Sequence, residues 1–300
     1  DKNGNPVTSG PISLCVDRQE RVWVSATNNR VQQFTNSGKY LRGLGGEEGT
    51  EPGEFHLPHG LALDSHDCLY VADTMNALQQ LAIYHRSRFT IRVIGITGSN
   101  GKTIVKEWLY QLLHEDFHIV RSPKSYNSQI GVPLSTWQMD EHHTLAIFEA
   151  GISQPGEMEK LEKIIQPGIG ILTNIGEAHN EGFTDKGQKL TEKLRLFRNC
   201  QVLVGRESDL TAGKEFISSF ETQPETIMWG PSATNNVTVK KIERKDSHTI
   251  ITICPGSAEK QFIIRFTDEA SVENSITCYV VLLQLGISHD VIAKRMEQLQ

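Results

Sequence analysis

No apolar run in this 300-residue sequence reaches the ~18 residues that a membrane-spanning helix needs, so none of it is expected to cross a bilayer. A basic excess is also lacking. Lys and Arg number 30 against 36 Asp and Glu, a net of −6, the wrong balance for a general nucleic-acid or anionic-membrane binder. Cysteine is scarce. The five (Cys15, Cys68, Cys200, Cys254, Cys278) are odd in number, scattered, and contain no C-x-x-C pair. That argues against a disulfide framework or zinc site and for buried free thiols in a reducing, cytoplasmic setting. What is present is a 38% hydrophobic fraction, enough for a packed core in a chain with room for about two domains.

The two parts of the chain do not read alike, and no Gly/Ser linker separates them. Up to about residue 76, short strand patterns alternate with Gly, Asn and Asp. Leu14-Cys15-Val16-Asp17, Val22-Trp23-Val24, Asn29 and Gln32-Gln33 recur 47 positions later as Leu61-Ala62-Leu63-Asp64, Leu69-Tyr70-Val71, Asn76 and Gln79-Gln80. A 40–50-residue repeat with several short strands per unit is a β-propeller signature. The segment "GLALDSHDCLYVADTMN" and the connection "GLGGEEGTEPGEFHLPHG" resemble NHL repeats. The resemblance implies an incomplete propeller of fewer than two blades over 1–76, with a protein as its possible partner. With 6 basic and 10 acidic residues in the first 75, it carries no charge for RNA. Over "TMNALQQLAIYHRSRF", Leu78, Leu81, Ala82 and His85 fall at helical spacing, so a helical reading and the repeat overlap at this seam.

From residue 77 onward the chain reads as an α/β domain. Residues 91–95 read as a buried strand, "ITGSNGKT" (96–103) follows, and "IVKEWLYQLLHEDF" continues at helical period. Strand, glycine-rich turn and helix together cradle phosphates with backbone N–H groups and a helix N-terminus. Gly98 and Gly101 permit the turn, Lys102 reaches the β/γ-phosphates, and the Thr103 hydroxyl is placed for Mg²⁺. Ile96 stands where the longer G-x-x-x-x-G-K-T pattern has its first glycine, so the shorter T-G-x-x-G-K-T form is the one satisfied. Glu149 ends an apolar strand, Leu145 to Phe148, and His179 follows another, Ile169 to Asn174. Both are therefore expected at the C-terminal edge of the sheet, where open α/β sheets bind ligands. Further on, "NVTVKKI", "HTIITIC" and "QFIIRF" alternate as a small antiparallel meander, and "DEASVENSITCYVVLLQLGIS" returns to helix. His114 and His118 are four apart on a predicted helix and are read as surface or core-edge residues.

Four further segments occur in order: "YNSQIGVPLS" (126–135), "LAIFEAGISQPGEM" (145–158), "ILTNIGEAHNEGF" (171–183) and "KLTEKLRLF" (189–197). With "GITGSNGKT" they resemble the central ATP-binding domain of the Mur ligases, and most closely the branch that joins D-Ala-D-Ala to UDP-muramoyl tripeptide. The resemblance implies an ATP-dependent acid–amine ligase of peptidoglycan precursor synthesis: the γ-phosphoryl group moves to a carboxylate, and the amine displaces phosphate from the acyl phosphate. It implies ATP and Mg²⁺, an ATP site at Thr97, Gly98, Ser99, Asn100, Gly101, Lys102, Thr103 and Asn274, and substrate contacts at Tyr126 and Asn127. Thr103, Glu149, His179 and a carbamylated Lys193 become metal ligands, and Lys102, His179 and Lys193 the catalytic set. Ala270-Ser271 replaces the family's upstream His-Asn. Because the resemblance covers the central domain only, full amide synthesis is expected to need the family's flanking domains. The rival readings are an NHL-type binding module, a folylpolyglutamate synthase-like ligase, and a non-catalytic chimaera that binds ATP.

Overall fold

A computed structural model describes residues 10–45, 54–55, 58–176, 183 and 185–300. Its contacts divide the chain into two units, Asp1–Gln80 and Leu81–Gln300.

In the first unit β1 (Pro11–Val16), β2 (Val22–Ala26), β3 (Arg30–Phe34) and β4 (Tyr40–Gly45) form an antiparallel meander, and β5 (Gly60–Leu63) pairs with β6 (Leu69–Ala72) as a hairpin. The 47-residue repeat has a physical basis. Asp17, buried in the β1–β2 turn, accepts hydrogen bonds from the Gln19 and Arg21 amides and from the Arg21, Trp23 and Gln33 side chains. Asp64 accepts from the His66 and Cys68 amides and the Tyr70 hydroxyl, each 47 positions on from its counterpart. The repeat then breaks. After Ala26 the chain turns at Asn29, held at φ +57°, into β3. At the position of Ala26 the second repeat has Asp73, whose carboxylate accepts from the Asn76 amide at 2.9 Å and starts a helix. Residues 77–81, which would be the third strand, therefore lie in α1 (Thr74–Ser87), so the helical reading of the seam prevails.

The second unit carries β7 (Arg92–Thr97), α2 (Lys102–Leu113), β8 (Ile119–Arg121), α3 (Gly131–Thr136), β9 (Leu145–Glu149), α4 (Glu157–Ile165), β10 (Ile169–Leu172) and α5 (Lys186–Leu194). It continues with β11 (Val202–Arg206), α6 (Glu207–Ala212), α7 (Lys214–Ser218), β12 (Glu225–Gly230), β13 (Val237–Arg244), β14 (Thr249–Pro255), β15 (Lys260–Ile264), α8 (Glu269–Gln284) and α9 (His289–Met296). The strands form one sheet in the order β15-β14-β13-β12-β11-β10-β7-β9-β8, parallel from β8 to β13 and antiparallel over β13-β14-β15. The expected meander is present but is not a separate element; it extends the main sheet through the parallel β12–β13 pair.

Alternate residues of the central strands face opposite layers. Ile94, Ile96, Leu145 and Ile147 pack with α2, α8 and α9, while Val93, Ala146 and Phe148 pack with α3, α4 and α5. Burying both faces of a parallel sheet is what makes its strands near-continuous apolar runs, and each large side chain so buried contributes about 1.5–3 kcal/mol. The chain leaves β7 toward β8 and β9 on one side and returns to β10 on the other. That switch point is where an open α/β sheet forms a ligand crevice. The thiols follow the expected burial in part: Cys200 and Cys278 are buried, Cys15 and Cys254 half-buried, and Cys68 exposed. No helix among the described residues is long and apolar enough to cross a membrane. His114 and His118 do not share a helix, because α2 ends at Leu113 with His114 as its C-cap and His118 lies in the extended link just before β8.

Candidate functional site

At the switch point β7 runs into the loop 98–101 and α2. Gly98 has φ +152°, and a side chain there would overlap the Thr173 hydroxyl. Gly101 has φ +80° as the residue preceding α2, and a Cβ on it would sit 2.5 Å from Asn274 Oδ1. Both positions thus require glycine by conformation, and each also by close approach, Gly98 to the residue after β10 and Gly101 to α8. The end of β10 holds the loop in place: the Ser99 amide donates to the Asn174 carbonyl at 2.8 Å, the Asn100 amide to Asn174 Oδ1 at 2.9 Å, and the Thr173 hydroxyl to the Asn100 carbonyl at 2.6 Å. Thr97 is buried and donates to the Ala150 carbonyl at 2.9 Å.

Cationic side chains crowd this loop. Lys102 Nζ folds back onto the Gly98 and Ser99 carbonyls at 2.9 and 3.3 Å. Lys193, on the last turn of α5, donates to the same Gly98 carbonyl at 2.9 Å. Burial, then the nearby Lys102 and Lys189 charges, push the Lys193 ammonium down to about 7. Lys102 is lowered chiefly by burial. Lys189 and Lys193 are both buried, although α5 is rich in polar and charged residues. Like charges held together in low dielectric call for a multivalent anion.

Across the loop, Thr103 Oγ1 donates to Glu149 Oε2 at 2.9 Å. Glu149 is wholly buried, and among the described residues nothing donates to its Oε1. Burial raises the carboxyl above its ordinary range, against the pull of Lys106, the Thr103 hydroxyl and Lys102. An orphaned carboxylate oxygen beside a hydroxyl is the hard-oxygen donor set that suits Mg²⁺. A cleft of about 300 Å³ is lined by Ser99–Ile104, Ser125 and Asn127. Asn127 packs against Gly151, whose amide donates to the Asn127 carbonyl at 2.8 Å, and Tyr126 is exposed. Asn274 is buried on α8 beside Gly101. His179 lies outside the described residues. The structure therefore brings together residues 97–103, Glu149, Lys193, Asn127 and Asn274, with Tyr126 exposed beside Asn127. Thr173, Asn174, Lys189 and Lys106 were not anticipated. The first two could have been found as the polar end of an apolar strand at the ligand edge.

Comparison with known proteins follows the same geometry. Residues 96–282 match the Mur ligase middle domain. The chain is 28% identical over 242 residues to the UDP-N-acetylmuramoyl-tripeptide–D-alanyl-D-alanine ligase of Bacillus subtilis, covering 79% of this chain and 51% of that protein. It is 42% identical over 113 residues to the ligase of the same name from Treponema pallidum, covering 37% and 25%. Among solved structures, MurF from Acinetobacter baumannii superposes with a TM-score of 0.68 at 25% identity, over 80% of this chain and 53% of that one. MurF from Thermotoga maritima in complex with ADP shares the fold with a TM-score of 0.66 at 23% identity, over 77% and 55%. The chain spans at most about half the length of these curated relatives. Since the family match takes in more than half of its residues, the chain belongs to the Mur ligase family and contains that family's middle domain.

Proposed function

We propose that this chain supplies the ATP site of an amide-forming ligase that adds D-Ala-D-Ala to a UDP-muramoyl tripeptide. The carrying observation is the buried Glu149 with its free oxygen, held by the Thr103 hydroxyl at the mouth of the phosphate loop. In this reading the loop amides 98–103 and Lys102 bind the β- and γ-phosphates. Lys102 then leaves the Gly98 and Ser99 carbonyls for the phosphate oxygens, a charge-assisted exchange. Asn274, against Gly101, is placed toward the nucleoside. Tyr126 and Asn127 orient the acid substrate so that its carboxylate meets the γ-phosphorus in line.

Thr103, Glu149 and His179 would hold Mg²⁺, which when bound supplies charge stabilisation for the transferring phosphoryl group. Lys193, depressed to about 7, offers the neutral amine that attack on CO₂ requires. The new N–C bond releases a proton and leaves a carbamate oxygen for a second metal. The incoming amine then attacks the acyl carbon of the acyl phosphate, forming the amide C–N bond as the C–O bond to phosphate breaks and the amine gives up a proton. The relatives' names and the order of the segments favour this substrate pair over folylpolyglutamate. For the first unit we propose descent from a propeller-type repeat, supported by the equivalent bonding of Asp17 and Asp64.

Calorimetric titration tests the nucleotide reading. The full chain is expected to bind ATP, and Lys102→Ala to weaken it by about 1.5–3 kcal/mol, the range for a charged hydrogen-bond donor. Unchanged affinity in that variant would sink the assignment.

A further inference from the structure

Lys106 is the one lysine with no exposed surface at all in the second unit's described residues, and the nucleotide reading gives it no task. It stands one turn after Lys102, on the side of α2 that faces the segment following β8. Its Nζ donates to the Ser122 carbonyl at 2.7 Å and to the Lys124 carbonyl, and pairs with Glu107 Oε1 at 3.2 Å. Glu107 in turn accepts from Arg121 Nε at 3.0 Å, and the Arg121 guanidinium lies 3.6 Å from the centre of the Tyr110 ring. Two neighbouring residues of α2 thus grip the chain at 121–124.

What they grip is unusual. Lys124 has φ +47°, a left-handed conformation that non-glycine residues adopt only at a cost of about 1–3 kcal/mol when the surroundings hold them there. Immediately after it come Ser125 and Asn127, the wall of the cleft opposite the phosphate loop. The same segment is tied to the metal-side strand, because the Glu149 amide donates to Ser122 Oγ at 3.3 Å.

We propose that Lys106 is a positioning residue: its buried ammonium locks the 122–127 segment, strained turn included, at a fixed distance from the phosphate loop. The span between phosphoryl donor and acceptor wall is thereby set by the helix that also carries Lys102 and Thr103. That consequence rests on the nucleotide reading; the tie itself does not. A neutral side chain leaves the Ser122 and Lys124 carbonyls without that donor, and the left-handed Lys124 keeps only the bond from the Tyr126 amide to the Pro123 carbonyl across its turn.

The test is hydrogen exchange on the full chain, read in peptides 122–128 and 102–113, beside ATP titration. Lys106→Met is expected to speed exchange of 122–128 about tenfold or more, the loss of a buried charged donor, while 102–113 and ATP affinity stay within about twofold. Adding Lys124→Gly, which accepts φ +47° freely, should bring the 122–128 protection back toward the parent. Lys102→Ala should do the reverse of Lys106→Met, losing ATP and sparing the segment. A folded Lys106→Met protein with parental 122–128 exchange overturns the tie. If that variant does not fold, the parent decides by NMR: Lys106 ammonium protons exchanging as fast as those of exposed lysines overturn the tie, and slow exchange supports it. Absence of ATP binding in the parent would instead refute the nucleotide reading alone.

Discussion

Replacing Glu149 with Gln should stabilise the ligand-free protein while damaging the metal site proposed above. The carboxylate is fully buried, and among the described residues only Oε2 has a donor, the Thr103 hydroxyl. A buried polar group left unsatisfied costs about 1–3 kcal/mol, more when charged. Glutamine keeps an oxygen for Thr103 and removes the charge. Against that gain stands the lost attraction of Lys106, which retains two carbonyls and Glu107 as partners. A net gain of about 1 kcal/mol is expected, a rise of about 2–4 °C in the melting temperature of a domain this size.

The sign is checkable by pH. Glu149's folded pKa lies above its ordinary 4.5, so between those values the folded state binds more protons than the unfolded one. The parent must then lose stability as pH rises through that window. Scanning calorimetry without nucleotide or metal should show the Glu149→Gln variant melting higher at pH 8, with the difference shrinking toward pH 4.5. A variant that melts lower than the parent at pH 8 would refute the reasoning and make the carboxylate a structural tie.

Three further outcomes follow from the same geometry. Gly98→Ala forces a Cβ onto the Thr173 hydroxyl and should cost about tenfold or more in ATP affinity, through loss of the loop shape that aims its amides, as calorimetry would read. Lys193→Met should remove a pH dependence. With Lys193 depressed to about 7, the unfolded chain binds more protons between about 7 and the ordinary 10.5, so the parent gains stability as pH rises through that range and the variant does not; thermal melts at pH 6.5 and 9 compare them. Asp73→Ala removes the acceptor of the Asn76 amide and should destabilise α1 by about 0.5–2 kcal/mol, visible as lost helical circular dichroism on heating.

Local chemistry made the phosphate loop legible. An apolar strand, two glycines and Lys102-Thr103 before a helix fix one another within a dozen residues, and β7, the loop and α2 follow. Glu149 was legible for the same reason, as the polar end of an apolar run. What the sequence concealed depends on partners far away in the chain. Lys106 is buried against the segment after β8 and Lys193 against the loop after β7, partners that the sequence of their own helices does not name. The end of β10 looked like a route to His179, whereas Thr173 and Asn174 themselves clamp the loop. The extension of the meander into the main sheet was invisible because the β12–β13 pairing joins residues with no local pattern in common. At the seam one residue decides: Asp73, in the place of Ala26, caps a helix where the earlier repeat turns into a strand.

The central claim is a nucleotide on the loop with its metal between Thr103 and Glu149. Its most direct test is a crystal of the full chain grown with Mn²⁺ and a non-hydrolysable ATP analogue, read by the anomalous signal of the metal. The account predicts triphosphate density over residues 98–103, Lys102 Nζ moved from the Gly98 carbonyl to a phosphate oxygen, and an anomalous peak within bonding distance of Glu149. A triphosphate bound elsewhere, or a metal peak away from Glu149 with Thr103 still donating to Oε2, would contradict it.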